Sequence, residues 1–245
     1  CQEGKGTHLG VKQLGRWIAQ VSANEAKPCF SLKMDIRRFF DSIDHTLLKK
    51  LIRRQVFDQK LLRLIDQIID GFYLRVTSHG KIGLPLGNVT SQLFANIYLH
   101  ELDRFVKHTL GRRHYLRYCD DFIFLANSKP ELLSLISPIQ LFLREELFLE
   151  LHPQKIIYRK LHQGIDFLGV ILFEHHKLLR TKTKRRISRK LREGLRKFQQ
   201  GKKSLISMDG RLQSYLGALR HVNQHSYAQY LQNAFGVRPQ RWLQG

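Results

Sequence analysis

Apolar residues recur along the chain with two periods, and the switches between them mark out the elements. Val11, Leu14, Trp17 and Ile18 share one helical stripe, so residues 1–28 read as a polar, glycine-containing start (GKGTH) followed by a short helix. CFSLK at 29–33 is a compact apolar run leading into Met34, Asp35 and Ile36, the pattern of a buried strand. Leu48, Leu51, Ile52, Leu62, Ile65 and Ile69 then recur at helical spacing, predicting one helix from His45 to about Asp70 with Asp44 as its N-cap. FYLRVTSHGKIGLPLGN predicts two short strands around a His79-Gly80 turn, ending in a Gly- and Pro-containing loop. Thr90 or Ser91 is expected to cap a helix running to about Lys107.

After a break at 111–114, YLRYC and FIFLA are two strong β runs, and Asp120 and Asp121 are expected at the tip of the hairpin they form. A helix is predicted from about Pro130 to Glu146, then strands at 155–158 and 165–173. From Arg180 onward the pattern is helical, with breaks near Gly201 and Gly210. This order predicts an α+β, palm-like domain with a separate helical appendage, divided near residue 178.

Composition and charge narrow the function. The chain has 245 residues and 42% hydrophobic content, enough to bury a core and to argue against disorder. No stretch approaches the roughly 20 unbroken apolar residues of a membrane span, and the start lacks the layout of a signal peptide. Cys1, Cys29 and Cys119 are too scattered for a disulfide framework or a zinc ribbon, and a reducing, cytoplasmic setting is expected. A chain that begins with Cys rather than Met is expected to have lost structure upstream. The formal net charge of +22 points to a polyanionic partner, with nucleic acid first. Between Arg180 and Lys203 there are twelve Lys or Arg and a single acid, Glu193, while Ile187, Leu191, Leu195 and Phe198 form one apolar stripe. Such a helix can dock by its stripe and leave basic faces outside. The twelve histidines show no metal-ligand spacing.

Two carboxylates at the edge of an apolar hairpin repel unless a cation neutralises them, and hard oxygen ligands suit Mg²⁺. An Asp-Asp pair can also be an ordinary turn, and Asp35, at the end of its strand, can be a helix cap. If strand 29–36 lies beside the hairpin, three carboxylates converge as two-metal phosphoryl transfer requires.

Six ordered blocks carry a family resemblance: SLKMDIRRFFDSIDH, GLPLGNVTSQLFANIYLHELD, YLRYCDDFIFLA, LHPQKIIY, GIDFLGV and SYLGALRHVN. The chain resembles the reverse transcriptases of bacterial and phage retroelements. The resemblance implies a right-hand polymerase fold, with partial fingers and a ferredoxin-like palm over 1–178 and a helical basic thumb over 179–245. Asp35, Asp120 and Asp121 match the metal-binding carboxylates and the Ile36 carbonyl matches a backbone ligand, for two Mg²⁺ ions or Mn²⁺ in their place. Tyr118-Cys119-Asp120-Asp121 stands where the family has Tyr-x-Asp-Asp, with Cys119 as a packing and primer-contact residue.

Phe40 matches the steric gate against a sugar 2′-hydroxyl, though a core aromatic beside Phe39 is an equal reading of the residues alone. Arg38 and Phe39 match contacts to the incoming triphosphate, with Lys5 and Lys12 as weaker phosphate contacts. Lys155 matches a general acid for the pyrophosphate leaving group. Leu168 and Gly169 match the primer grip, and Lys182, Lys184, Arg185, Arg186, Arg189 and Lys190 match a thumb that tracks nucleic-acid backbone. The implied partners are template RNA, primer or cDNA, deoxynucleoside triphosphates and a small basic accessory protein, with no membrane.

Pro85-Leu86-Gly87-Asn88 departs from the Pro-Gln-Gly of group II intron enzymes and is similar to the diversity-generating retroelement enzymes, which make cDNA mutagenised at adenine. Leu86 and Gly87 match the nucleotide site, where an aliphatic Leu86 lacks the hydrogen bond a Gln could give, which would weaken geometric discrimination. Leu86 as a loop-packing residue is the plainer reading. The alternatives are a group II intron-like or retron-like enzyme, or an RNA-binding relic of the fold without catalysis.

Overall fold

The computed structural model describes residues 4, 6–78, 80–202 and 204–236. The readings that fall on Cys1, Lys5, His79 and Lys203 therefore lie outside the described residues. The chain divides into two compact units, 1–160 and 161–245.

The first unit runs α1 (Thr7–Val21), β1 (Phe30–Asp35), α2 (Phe39–Ser42), α3 (His45–Arg53), α4 (Gln59–Asp70), β2 (Arg75–Thr77), β3 (Gly80–Ile82), α5 (Val89–Arg104), β4 (Tyr115–Tyr118), β5 (Asp121–Ala126), α6 (Lys129–Leu133), α7 (Ile136–Leu147) and β6 (Ile157–Lys160). Four of the strands form one antiparallel sheet in the order β4-β5-β1-β6. With α5 and α7 as the two crossovers this is the β-α-β-β-α-β arrangement of a ferredoxin-like domain.

Alternation along the strands separates two faces of that sheet. Leu32 and Met34 of β1 and Phe122 and Phe124 of β5 are buried in one core with Tyr98, Leu99 and Leu102 of α5 and Ile139, Leu143 and Leu147 of α7. Lys33 and Asp35 of β1 and Asp121 of β5 have the opposite parity. Three acidic and basic groups thus share the face turned away from the helical core.

Several elements differ from the pattern-based expectation, each for a local reason. The single helix expected over 45–70 is two, because Asp58 starts a second one by accepting the Leu61 N–H at 2.8 Å, as Asp44 does for Leu47 at 2.8 Å. Asn88 rather than Thr90 or Ser91 precedes α5, and the helix passes into a π-helical turn over Phe105–Thr109. The helix expected over 130–146 breaks between α6 and α7.

The second unit contains β7 (Ile165–Phe167), β8 (Val170–Leu172), β9 (Lys177–Leu179), α8 (Thr181–Gln199), α9 (Leu205–Leu219) and α10 (His225–Phe235). The one strand expected over 165–173 is a hairpin turning at Leu168-Gly169, part of an antiparallel β7-β8-β9 sheet. Gly164 precedes it at φ +80°, where a Cβ would lie 2.5 Å from the Ile171 side chain, so only glycine fits. Ile187 and Leu191 of α8 are buried with Met208, Leu212, Leu216 and Leu219 of α9 and Leu231 and Phe235 of α10. Leu195 and Phe198 pack against that cluster. Gly210, expected at a break, lies inside α9. The division between the units falls at 160/161, which groups the 165–179 strands with the basic helices. Among the described residues no helix is long and apolar enough to cross a membrane.

Candidate active site

The register of the sheet assembles the acidic face. Asp35, the last residue of β1, is paired directly with Asp121, the first residue of β5. Tyr118 pairs with Asp121 across β4 and β5, so the turn between them is Cys119-Asp120, and Asp121 belongs to the strand rather than to the tip. Cys119 adopts φ 55°, a region that costs an L-residue of the order of 1–3 kcal/mol. The turn is short and strained, and it holds Asp120 beside the Asp35–Asp121 pair.

Electrostatics agree with the geometry. Burial, reinforced by the charges of Asp35 and Asp121, pushes the Asp120 carboxyl above the usual aspartate value. Two ammonium groups meet the other carboxylates. Lys155 Nζ donates to Asp35 Oδ1 at 2.8 Å, and Lys33 Nζ lies 2.8 Å from Asp121 Oδ2. The bond to Asp35 raises the Lys155 pKa. Lys33, absent from the sequence reading, has a signal that could have found it: it lies two residues before Asp35, on the same strand face. Burial and the Asp120 charge push the Cys119 thiol up, which argues against a nucleophile, while the residue is exposed rather than packed as expected.

The Ile36 carbonyl is turned toward the same place. The His152 N–H donates to the Asp35 carbonyl and the Arg37 N–H to the Glu150 carbonyl, both at 2.8 Å. These bonds flank the Ile36–Leu151 bridge, so the backbone groups of Ile36 itself point to the opposite edge, the side of β5. Asp35, Asp120, Asp121 and the Ile36 carbonyl are hard-oxygen donors, the ligand chemistry that Mg²⁺ takes. The residues fit a divalent metal.

The remaining residues of the first unit are placed as follows. Phe39 is buried in the core, so any contact it makes to a nucleotide is through its backbone. Phe40 is half-buried against Phe39, with ring centroids 5.5 Å apart. The Phe40 carbonyl accepts the Leu84 N–H at 2.8 Å, which fastens the loop leading to Leu86 and Gly87 onto the Phe40 turn. Leu86 is 74% exposed, which excludes the loop-packing role. Arg38 sits at φ 44°, ψ 47° and lines a cavity of about 410 Å³ with Arg37, Arg75 and Thr77. Tyr118 is half-buried at the foot of the turn, and Lys12 lies on α1 away from any described contact with the acids.

In the second unit, Leu168 (φ 52°) and Gly169 (φ 85°) form the β7–β8 turn. Lys182, Arg185, Arg186, Arg189 and Lys190 are exposed on α8, whereas Lys184 is half-buried with its Nζ 5.8 Å from the Tyr227 ring.

A family model described as reverse transcriptase (RNA-dependent DNA polymerase) matches residues 2–172. The chain is 45% identical over 74 residues to the group II intron-encoded protein LtrA of Lactococcus lactis subsp. cremoris, covering 29% of this chain and 12% of that protein. It is 24% identical over 204 residues to protein YkfC of Escherichia coli K12, covering 69% of this chain and 49% of that one. The matched stretches thus span half or less of these relatives. Among solved structures, a telomerase from Candida tropicalis aligns over 98% of this chain and 46% of its own, with TM-score 0.53 and 14% identity. That likeness is one of fold.

Proposed function

The chain belongs to the reverse transcriptase (RNA-dependent DNA polymerase) family, and from that premise we propose that it copies RNA into DNA, extending a primer with deoxynucleotides at Asp35, Asp120 and Asp121. The observation that carries this reading is the direct pairing of Asp35 with Asp121 beside the strained turn that holds Asp120. The family uses divalent metal ions. Two Mg²⁺ ions, or Mn²⁺ in their place, would be held by the three carboxylates and the Ile36 carbonyl, supplying Lewis acidity at the primer 3′-hydroxyl and charge neutralisation at the phosphates.

The chain's own residues do the rest. The primer 3′-hydroxyl releases its proton to water as its oxygen bonds the α-phosphorus and the bond to pyrophosphate breaks, and Lys155 donates a proton to that leaving group. Phe40 excludes a 2′-hydroxyl by the bulk of its ring. Arg38 and the Phe39 backbone hold the triphosphate, and Leu86, Gly87 and Tyr118 contact the nascent base pair. Leu168 and Gly169 grip the primer, and the basic face of α8 follows the backbone of the duplex by charge. In this reading 1–178 are fingers and palm, 179–245 are thumb, and the protein works in the cytoplasm.

Leu86 supports a finer assignment: an enzyme of a diversity-generating retroelement, error-prone opposite adenine and assisted by a small basic protein. An exposed aliphatic side chain here leaves a mispaired base with no polar group to offend. A second reading, a group II intron-like enzyme, is favoured by the 45% identity to LtrA.

The test is extension of a primed RNA by the purified chain, with the cDNA sequenced. Errors concentrated opposite template adenines, and suppressed in Leu86→Gln, support the finer assignment. Accurate cDNA favours the group II reading. RNA binding with no cDNA, with and without a basic accessory protein, overturns the polymerase proposal.

A further inference from the structure

Arg117 lies on β4, one residue before Tyr118. Its guanidinium makes a two-pronged ion pair with Asp103 at the end of α5, Nε to Oδ1 at 2.8 Å and Nη2 to Oδ2 at 2.6 Å. The Tyr115 hydroxyl donates to the same Asp103 oxygen at 2.8 Å. The third nitrogen, Nη1, donates to the carbonyl of Cys119 at 3.0 Å and to Asn96 Oδ1 at 3.4 Å. Both partners are largely covered, with side chains 10% and 22% exposed. Burial alone would lower the pKa of the guanidinium, but the bonds and charge of Asp103 prevail and raise it.

The bond to Cys119 matters because of where that carbonyl lies. It belongs to the peptide joining Cys119 to Asp120, so its direction fixes the plane from which the Asp120 side chain departs. Cys119 is held at φ 55°, a conformation that an L-residue leaves unless its surroundings impose it. A planar fork already anchored at two points by Asp103 is suited to impose it, because little freedom remains to be lost when the third bond forms.

We propose that Arg117, anchored by Asp103, is a positioning residue that clamps the Cys119 carbonyl and so sets Asp120 in the geometry needed to bind a divalent cation. The proposal rests on the reading that Asp120 is a metal-binding carboxylate. Arg117 touches neither substrate nor metal in this account. The anchor also joins the turn to α5, whose other end follows the Leu86–Gly87 loop.

The experiment measures, in the full chain, Mn²⁺ binding by electron paramagnetic resonance and primer extension on an RNA template as a function of Mg²⁺, and the two readouts should shift together. Arg117→Met should raise the Mg²⁺ concentration giving half the maximal rate by about 10- to 100-fold, the usual effect of losing a group that orients a metal ligand. Arg117→Lys keeps the charge but cannot span both Asp103 and Cys119, and should give a shift of the same sign. The decisive comparison is a double-mutant cycle with Cys119→Gly. Glycine adopts positive φ without strain, so on that background the Arg117→Met shift should shrink to about threefold or less.

Arg117→Met leaves Asp103 without its partner, so Asp103→Asn/Arg117→Met, which removes both charges together, serves as the folding control and should show the same Mg²⁺ shift. An unchanged Mg²⁺ requirement in folded Arg117 variants overturns the proposal, and so does a shift equally large on the Cys119→Gly background. Asp120→Asn separates the two levels of the argument. If it still extends primers, the catalytic reading fails; if it is inactive while the Arg117 variants keep the wild-type Mg²⁺ requirement, only the clamp fails.

Discussion

Two of the hairpins among the described residues open a two-residue turn with a non-glycine side chain at positive φ: Cys119 at 55° between β4 and β5, and Leu168 at 52° between β7 and β8. They are stabilised differently. The second turn continues with Gly169 at φ 85°, so both central residues lie in the positive region that a type I′ turn requires, and the Gly169 carbonyl accepts the Arg180 N–H at 3.3 Å. The first turn follows Cys119 with a carboxylate instead, and a buried guanidinium holds its backbone from the side. Strain relieved by a neighbouring glycine is a feature of turn geometry. Strain maintained by an ion pair, beside the paired Asp35 and Asp121, marks a site where position matters more than stability.

The largest test of that contrast is Asp120→Asn. Loss of a metal-binding carboxylate is expected to slow primer extension by about a thousandfold or more, since the metal's charge stabilisation is worth several kcal/mol. The same substitution should raise the melting temperature in divalent-free buffer at neutral pH. Because the folded-state pKa of Asp120 is raised, its favourable contribution is complete below the ordinary aspartate value and is lost as pH rises through the raised value. At neutral pH the ionised group opposes folding, and Asn removes the charge. A variant both inactive and less stable would contradict this.

Next is Lys155→Ala, expected to slow single-turnover addition by roughly a hundredfold with primer-template affinity unchanged, as loss of a general acid should. Affinity and rate falling together would make Lys155 a binding residue only. Smaller again is charge removal on α8. Arg186→Ala should weaken RNA–DNA duplex binding several-fold, evenly across sequences, and lower the slope of log affinity against log salt by about 1. An unchanged slope would mean that Arg186 meets no phosphate. The smallest effect belongs to the second turn. Gly169→Ala meets no atom within 4 Å, so its cost is backbone strain alone, about 1 kcal/mol in denaturant unfolding. A neutral result would mean that the turn does not depend on its glycine.

Much of the fold was legible along the chain because buried strands and amphipathic helices leave periods that survive without partners. The β1 run, the apolar hairpin with its acids, the Asp44 cap and the stripe of α8 all have this local character. Boundaries were less legible where a short polar side chain decides them: Asp58 divides 45–70 because its carboxylate reaches the Leu61 N–H, not because the apolar spacing lapses. The Leu168-Gly169 turn was hidden inside an apolar run, since Leu168 gives no sign of positive φ.

In the site, the acids could be singled out by residue type, but the Asp35–Asp121 pairing is a matter of register between strands more than 80 residues apart, on which sequence spacing is silent. Arg117 escaped notice for want of any such spacing, and Lys33 despite lying two residues before Asp35 on the same strand face. Each looks like ordinary strand polarity until Asp121 of β5 and Asp103 at the end of α5 come within reach of their side chains.

The most direct test of the central claim, that the Cys119-Asp120 turn and Asp35 form a divalent-cation site, is Mn²⁺ binding followed by electron paramagnetic resonance in the wild-type chain and in Asp120→Asn. The account predicts that the wild type takes up Mn²⁺ in competition with Mg²⁺ and that Asp120→Asn weakens this by at least about tenfold. Equal binding by the two proteins would contradict it.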